Sequence, residues 1–378
     1  MEEITQRILR KNTNLTSTLP LTISAQYGLV DQRIYFEKQI ASKKLETYLL
    51  LKQGEFAYNK SYSKDYPFGT IKRLNNYPMG VLSTLYIAFK PTLTDTNFLE
   101  QYFDSSKWYK EIYKRATEGA RNHGLLNISP QDFFEIIINQ PKNKREQKKI
   151  SKILKLISLL ISLQQRKLKL LKAIKFYLLN QFLLNNNKWP KKKFGNLVNI
   201  NRGLTYHPFD VVNSDGIRVL RSSNIKDSRI SFNKDDVFVR TSIVKEKYQL
   251  KKNDILVTAA NGSSNLIGKH ALMTKNIPNQ VGGFMFSIET NEPYFIFACL
   301  ESNWFKKLIH KSTTGGNGAL GNLKGKDIKN AWIHIPEREI RERIGDLEKN
   351  IDNFIDYNQK IVNKLIKFKQ FLLQNMFI

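Results

Sequence analysis

Seven polar segments of the sequence carry side chains that could hydrogen-bond to nucleic acid. They combine glycine with arginine, lysine, asparagine, serine, threonine and tyrosine, and they span residues 24–28, 58–69, 114–124, 201–208, 221–224, 259–265 and 311–322. Arginine and asparagine can contact base edges, and glycine lets the backbone approach a phosphate closely. An ordinary polar turn is the alternative interpretation of each segment. The candidate DNA-contacting residues are Ser24, Gln26, Tyr27, Asn59, Lys60, Ser61, Tyr62, Lys64, Arg115, Arg121, Asn122, Arg202, Thr205, Tyr206, Arg221, Ser222, Ser223, Asn224, Asn261, Ser263, Ser264, Lys311, Thr313, Thr314 and Asn317.

Patterns typical of catalysis or metal binding do not stand out. The glycine-rich residues 313–327 lack the Gly-Lys-Ser/Thr ending of a phosphate-binding loop, and residues 139–142 (NQPK) are not an adenine-methyltransferase motif. Cys299 is the only cysteine, and no two of the five histidines are four residues apart, which argues against a disulfide and a zinc site. We therefore predict no catalytic residue, no metal site and no cofactor bound by this chain.

The charge of the chain suggests a polyanionic partner. The formal net charge is +28, while the hydrophobic fraction of 41% is ordinary for a folded protein. Nucleic acid and an anionic membrane surface are the partners that such an excess favours. The alternative is an AT-rich genome whose codon usage raises the lysine count. No run approaches 18 apolar residues, so we expect an intracellular, cytoplasmic protein.

The two halves of the sequence repeat one order of segments, which predicts two copies of one design. In the most similar pair Trp108 matches Trp304 and Asp132 matches Asp327. The paired segments are 106–141 with 302–336, 48–58 with 248–257, and 23–36 with 220–232. Each copy is predicted as a mixed, strand-rich part, called a head below, followed by a long helix. Residues 98–117 and 294–313 are each predicted as an amphipathic helix. The first copy lacks a counterpart of residues 189–198, which puts its edge strand in doubt.

Each long helix shows apolar residues at alternating spacings of three and four, the pattern of a coiled coil. Proline precedes both helices, at Pro141 and Pro336. Some 40 residues would make a rod of roughly 60 Å. The predicted seam residues are Ile150, Ile153, Ile157, Leu160, Gln164, Leu168, Leu171, Ile174, Leu178 and Phe182 in the first helix, and Ile344, Leu347, Ile351, Phe354, Asn358, Ile361, Leu365, Phe368 and Leu372 in the second.

Gln164 and Asn358 are the polar residues of these seams and occupy equivalent positions near the helix midpoints. If the helices pair antiparallel, the two side chains would face each other and fix the register. The alternative is two independent polar residues that the surface tolerates.

Charge favours the antiparallel arrangement. The second half of the first helix carries lysines and Arg166 without an acid, and the first half of the second helix carries Asp346, Glu348, Asp352 and Asp356. Much of this charge is expected on solvated helix faces, where a pair contributes about 0–1 kcal/mol. The predicted fold class is α+β, with two globular mixed α/β domains joined by two long antiparallel coiled-coil helices in a pseudo-twofold repeat. The predicted boundaries are 1–140 for the first head, 141–187 for the central helix, 188–335 for the second head and 336–378 for the C-terminal helix.

Four segments together resemble the DNA-specificity subunit of type I restriction–modification systems. They are GLTYHPFD, YQLKKNDILV, REQKKISKILKLI and LLKAIKFYLLNQF, and the order head, helix, head, helix extends the resemblance over nearly the whole chain. The resemblance implies two target recognition domains that read the halves of a gapped double-stranded DNA sequence. It also implies that the helices set the gap and dock two methyltransferase subunits, which use S-adenosylmethionine. Restriction subunits would use ATP and Mg²⁺.

Two other functions are compatible with parts of the sequence. One is a coiled-coil adaptor whose heads bind protein rather than DNA. The other is a single-chain restriction or modification enzyme, for which the catalytic motifs are missing. The resemblance favours a subunit that selects the DNA site but is not catalytic alone.

Overall fold

The computed structural model describes residues 1–37, 44–116, 126–184, 189–259, 266–277, 280–313 and 322–377. Two compact units divide the chain: Met1–Gln165 with Lys360–Ile378, and Arg166–Gln359. Each unit contains one head and parts of both long helices. The division falls within the helices, so the predicted domain boundaries stay predictions.

The first head is built on an antiparallel sheet with the strand order β1-β8-β5-β6. Smaller sheets pair β2 with β3 and β4 with β7. Phe56 and Phe89 are paired across β5 and β8, and both are buried in an aromatic core. The strands are β1 (Thr5–Arg7), β2 (Leu21–Ser24), β3 (Gly28–Asp31), β4 (Leu49–Lys52), β5 (Phe56–Asn59), β6 (Thr70–Arg73), β7 (Met79–Leu82) and β8 (Ile87–Pro91), and the helices are α1 (Gln32–Phe36), α2 (Thr96–Asp104), α3 (Tyr109–Arg115) and α4 (Pro130–Phe134).

The second head follows the long helix α5 (Lys144–Leu184) and precedes the long helix α9 (Arg338–Asn375). Its strands are β9 (Lys191–Lys193), β10 (Asn199–Arg202), β11 (Val211–Val212), β12 (Ile217–Leu220), β13 (Ile225–Lys226), β14 (Arg229–Ile230), β15 (Val237–Val239), β16 (Ile255–Thr258), β17 (His270–Leu272), β18 (Gln280–Gly282), β19 (Met285–Glu289) and β20 (Trp332–His334), and its helices are α6 (Pro293–Glu301), α7 (Asn303–Thr313) and α8 (Gly325–Asn330). The main sheet has the order β10-β19-β16-β17, which repeats the order of the first head strand for strand. The predicted internal repeat is thereby confirmed.

The long helices run antiparallel, as each unit shows separately. In the first unit Ile150 and Leu154, near the start of α5, share a core with Phe377, just past the end of α9. In the second unit Leu179 and Leu183, near the end of α5, share a core with Ile344, near the start of α9. With 41 and 38 residues, the helices are about 60 Å long. The predicted fold class is confirmed.

The predicted seam is wrong at six positions. The exposed seam residues are Ile153, Leu160, Ile174, Phe182, Phe354 and Phe368. Leu154, Lys175 and Ile355, each directly after one of them, are buried, as are Glu348 and Val362. The three-four spacing was read from apolar residues alone. It therefore passed over the buried lysine and glutamate, which neutralise each other inside the structure.

The amphipathic helix predicted in each head is two helices, not one. Ser105 separates α2 from α3, and Ser302 separates α6 from α7. Each serine hydroxyl donates a hydrogen bond back to a carbonyl three residues earlier, Tyr102 O and Cys299 O respectively, and accepts one from the backbone two residues later. This local bonding ends the first helix and starts the second.

The edge of the second head is the strand pair β9–β20, and β9 lies within residues 189–198, the segment that the first copy lacks. In the first head Met1 occupies a comparable place, since its amino group donates to Ile136 O and Glu2 N donates to Phe134 O. The Met1 side chain is buried in the aromatic core.

Candidate nucleic-acid interface

Three segments of the second head converge where β12 and β18 end. These two strands are parallel, with Leu220 opposite Gly282. The segment after β10 joins them through a bridge between Leu204 and Gly283. Two of the segments, 201–208 and 221–224, are predicted DNA-contacting loops, and the third, 282–285, is not among those predicted.

Backbone hydrogen bonds fix this corner. Gly283 N donates to Leu220 O at 2.8 Å and Phe284 N donates to Leu204 O at 3.1 Å. Gly203 N donates to Met285 O, and Leu204 N donates to Gly282 O. The close approach requires glycine, since a Cβ on Gly203 would lie 2.2 Å from Gly282 O. The corner is therefore a rigid platform for the side chains that project from it.

Arginine, threonine and aromatic side chains surround the corner. Arg202 and Thr205 are exposed, and Tyr206 is half-buried. The Tyr206 ring lies 5.2 Å from the Phe284 ring, and His207 stacks on the exposed Phe209 at 5.1 Å. Phe284 and Phe209 were missed by the sequence reasoning, which searched polar residues. The signal available for Phe284 was an aromatic residue directly after two glycines.

The segment 221–224 forms a turn that supports the corner. Asn224 is fully buried and donates to Ser231 O and Asp236 Oδ1, so its side chain shapes the turn, and its role as a DNA contact stays a prediction. Its Oδ1 accepts from Arg221 N. The Arg221 guanidinium, which is half-buried, donates to Asp235 O. Ser222 is half-buried and Ser223 is exposed.

In the first head the segment 24–28 is the tip of the β2–β3 hairpin. Ser24 is buried, and its hydroxyl accepts from Tyr27 N, so Ser24 shapes the turn, and its role as a DNA contact stays a prediction. Gln26 and Tyr27 are exposed at the tip and are available to a ligand.

The segment 58–69 projects from the end of β5. Ser61, Tyr62 and Lys64 are exposed. Asn59 Oδ1 accepts from Ser61 N, and Lys60 Nζ donates to Ile128 O at 3.4 Å, so both side chains contribute to the local fold.

Arg115 is engaged within the first head. Its guanidinium pairs with Glu111 at 2.7 Å and donates to Glu135 O. Hydrogen bonds from Lys114, Ile137 N and Arg115 lower the pKa of Glu111 to about 2. A DNA contact by Arg115 would have to compete with this carboxylate.

A basic groove of about 780 Å³ lies beside α7 in the second head. The exposed Lys311 lines it together with Lys307, Lys324 and Trp304. Thr313 instead donates its hydroxyl to Ile309 O of its own helix. Seven other candidates fall in 117–125, 260–265 or 314–321, outside the described residues: Arg121, Asn122, Asn261, Ser263, Ser264, Thr314 and Asn317.

A buried charge network attaches the second head to the long helices. Lys175 Nζ of α5 lies 2.5 Å from Glu348 Oε1 and 2.7 Å from Asp352 Oδ1, both of α9. Glu301, at the end of α6, lies 3.8 Å away. Because Glu348 is fully buried and Lys175 nearly so, this charge is not on a solvated face, and that expectation is wrong here.

Glu301 and the β13–β14 turn extend the network into the head. Glu301 Oε1 accepts from the Ser228 hydroxyl and lies 3.1 Å from His270 Nε2. His270 Nδ1 lies 2.9 Å from Gly268 O, so each ring nitrogen of His270 lies beside an oxygen. Arg229 pairs with Asp356 at 2.6 Å. One turn thus contacts both the head and α9.

The protonation of the network follows from burial and pairing. Burial and the neighbouring carboxylates raise the pKa of Glu348 to about 7, although Lys175 opposes this. Burial alone would lower the pKa of Lys175, but Glu301, Glu348 and Asp352 together raise it. Burial would raise the pKa of Glu301, but His270 and Lys175 hold it below its usual value.

Gln164 and Asn358 lie beside the division between the two units. Asn358 is buried, and its Nδ2 donates to Phe354 O of its own helix at 2.7 Å. Gln164 Oε1 and Asn358 Oδ1 are buried and have no hydrogen-bond partner among the described residues. Their facing arrangement stays a prediction.

Within the described ranges, no three histidine, cysteine or acidic residues form a group that could hold a metal ion. None of the described helices is long and apolar enough to cross a membrane.

The fold and the candidate interface define a class of protein with two repeated α/β heads and two long antiparallel helices. Residues 186–367 match the family model described as the type I restriction modification DNA specificity domain. Residues 186–367, just under half of the chain, therefore resemble the DNA specificity domain of type I restriction–modification systems.

Known relatives agree with this family. The StySPI specificity subunit of Salmonella potsdam is 24% identical over 195 residues, which is 49% of this chain and 42% of the relative, so the match spans less than half of that protein. The MjaVIII specificity subunit of Methanocaldococcus jannaschii is 23% identical over 77% of this chain and 72% of its own length. The S subunit of the type I system from M. genitalium has a similar fold, with a TM-score of 0.55 at 15% identity over 100% of this chain and 94% of that subunit.

Proposed function

We propose that this chain is the DNA-specificity subunit of a type I restriction–modification complex. Each head would read one half of a gapped double-stranded DNA sequence, and the long helices would set the gap. The observation that carries the proposal is the repeated strand order of the two heads, each followed by a long helix, in a chain that resembles this family.

The charge and the convergent loops support a DNA ligand. A net charge of +28 favours a polyanion. The corner of the second head presents Arg202, Thr205 and Tyr206 on a rigid backbone, which suits phosphate and base contacts.

The proposed partners carry the chemistry. Two methyltransferase subunits would dock on the helices and transfer a methyl group from S-adenosylmethionine to adenine, and restriction subunits would use ATP and Mg²⁺. The chain itself would select the site in the cytoplasm and would not be catalytic alone.

The test is to purify the full chain with and without its methyltransferase partner, incubate each with genomic DNA and S-adenosylmethionine, and sequence the modified adenines. The complex is expected to methylate one bipartite sequence, and the partner without this chain is expected to methylate none. Methyl transfer by the chain alone, or the same methylated sequence without it, would overturn the proposal.

A second arm of this experiment examines the role of the helices. One heptad inserted into both α5 and α9 adds about 10 Å to each helix, so the gap should lengthen by about three base pairs while both half-sites stay unchanged. Changed half-sites with an unchanged gap would contradict the proposed role of the helices.

A further inference from the structure

The corner of the second head holds a bulky residue in a conformation that favours glycine. Phe284 has φ of +55°, in the left-handed region. Gly283 and Met285 on either side are buried, whereas 45% of Phe284 is exposed. A bulky residue in this region is an outlier, and such strain persists only where the surrounding structure enforces it.

Packing within the head does not account for this side chain. The hydrogen bonds that fix the corner involve the backbone of residues 282–285 and would form equally well with glycine at position 284. Phe284 is 45% exposed, and its ring centroid lies 5.2 Å from that of Tyr206. The strained backbone therefore serves to present an aromatic ring at the surface.

The first head has an exposed apolar residue at the equivalent corner. This corner joins β7 to β8, as residues 283–284 join β18 to β19, and the strands that follow, β8 and β19, hold the same place in the two main sheets. Leu85 lies there and is 74% exposed. The Leu85 N–H donates to the Ser83 hydroxyl, and Tyr86 N donates to Ser83 O. These hydrogen bonds fix the conformation of the turn.

Cations and polar groups flank the apolar tip of the second head. Arg202 lies on β10 opposite Phe286, two residues from Phe284, and Arg221 follows Leu220, whose carbonyl accepts from Gly283. An apolar side chain surrounded by cations suits duplex DNA, because the cations contact phosphates while the apolar group enters between bases. A protein partner would not require the cations.

We infer that Phe284 and Leu85 are DNA-wedging residues, each of which inserts at a base step of the half-site read by its own head and partly unstacks it. This inference rests on the proposed DNA-specificity function. Insertion of such a side chain depends on how easily the base step unstacks. Each half-site would therefore be selected partly by its deformability.

The experiment uses the full chain in complex with its methyltransferase partner and duplexes that carry 2-aminopurine at successive positions of each half-site. Besides the adenine that the methyltransferase partner extrudes, the wild-type complex is expected to raise the fluorescence at one further step in each half-site. Phe284→Ala should abolish the rise in the half-site of the second head only, and Leu85→Ala in that of the first. Because stacking of one base on an aromatic ring contributes about 1–3 kcal/mol, Phe284→Ala should weaken DNA binding roughly tenfold or more.

Matched controls separate wedging from general loss of apolar surface. Phe232 is also 45% exposed in the second head, and Leu93 is 62% exposed in the first. Phe232→Ala and Leu93→Ala should leave both fluorescence and affinity unchanged. Phe284→Leu, which keeps an apolar side chain, should retain most of the signal.

The outcomes distinguish this inference from the proposed function. If Phe284→Ala binds the same bipartite DNA with wild-type affinity and fluorescence, the wedge is wrong while the DNA-specificity function stands. If the wild-type complex binds no specific DNA, the proposed function itself fails. A loss of affinity in Phe284→Ala whose salt dependence matches that of the wild type supports the wedge, because no phosphate contact has been removed.

Discussion

The two heads share one strand order, yet they are attached to the long helices by different forces. In the first unit the attachment is apolar and aromatic: Phe377 lies 5.4 Å from both Phe98 and Tyr102, and Leu154 is fully buried in the same core. In the second unit Lys175 lies among Glu301, Glu348 and Asp352. Both attachments therefore include hydrophobic contact, and the second unit adds a buried charge network to the core that contains Leu179, Leu183 and Ile344.

This difference is clearest at one pair of equivalent positions in the two long helices. Leu154 of α5 and Glu348 of α9 hold the same place in the helix repeat, and both have no exposed surface. A buried leucine stabilises without a partner, whereas a buried carboxylate stabilises only while its cation is present. The comparison shows that an internal repeat can preserve geometry while its two copies respond differently to mutation and pH.

Removing the Lys175 ammonium group is expected to have the largest effect on the stability of the second unit. Lys175→Met leaves Glu348 and Asp352 without their buried partner, and the loss of one member of such a pair costs about 3–5 kcal/mol. Hydrogen exchange of amides in β17 and α6 measures this loss locally in the second unit. The amides of β5 and β8 in the first unit should keep their protection.

Two variants sharpen this result. Lys172→Met removes an exposed pair with Asp227 and should cost less than about 1 kcal/mol. Adding Glu348→Leu to Lys175→Met copies the residue of the first helix and should recover part of the loss. Equal losses of stability in Lys175→Met and Lys172→Met would show that burial does not strengthen the contribution of the charge network to the stability of the second unit.

The sequence predicted the repeat and the α+β class from the order of segments, the long helices from periodicity, and their antiparallel arrangement from charge. It predicted only part of the buried seam. Lys175 and Glu348 were assigned to solvated faces, since a charged residue is rarely buried unless a partner is present, and the partner is known only from the fold. Their burial was missed for this reason.

The candidate interface could be predicted only in part. Segments 201–208 and 221–224 were identified from their composition, and the structure brings them to one corner. Phe284 was missed, because its backbone conformation and its exposure are tertiary features. Asn224 was selected because an asparagine amide can contact a base edge, but in the structure this amide closes a turn. Composition alone does not distinguish a turn-forming asparagine from one that recognises a base.

The pH dependence of the two units should differ through Glu348. Its pKa is raised to about 7 in the folded state from an ordinary value of 4.5, so the folded protein binds this proton more tightly. The stabilising contribution is complete below about pH 4.5 and is lost as the pH rises through about 7. Relative to Glu348→Gln, the wild-type second unit should lose about 2–3 kcal/mol between pH 5 and 8, measured by the same hydrogen exchange.

The control for this titration is Glu339→Gln, which changes a carboxylate that is 75% exposed on the same helix. Its stability profile should parallel that of the wild type between pH 5 and 8. A wild-type profile that also parallels Glu348→Gln would mean that Lys175 keeps Glu348 ionised in the folded state throughout this range.

The smallest expected effect has opposite signs in the two heads. Phe284→Gly relieves a left-handed backbone and should stabilise the second head by about 1 kcal/mol. Leu85 is not among the left-handed residues, so Leu85→Gly should destabilise the first head by up to about 1 kcal/mol through the added freedom of the unfolded chain. Hydrogen exchange of β19 and β8 compares the two heads.

Two outcomes of Phe284→Gly are informative. If the variant stabilises the second head but weakens DNA binding, the strain at this corner serves recognition rather than folding. If it destabilises the second head, the Phe284 ring supports the fold.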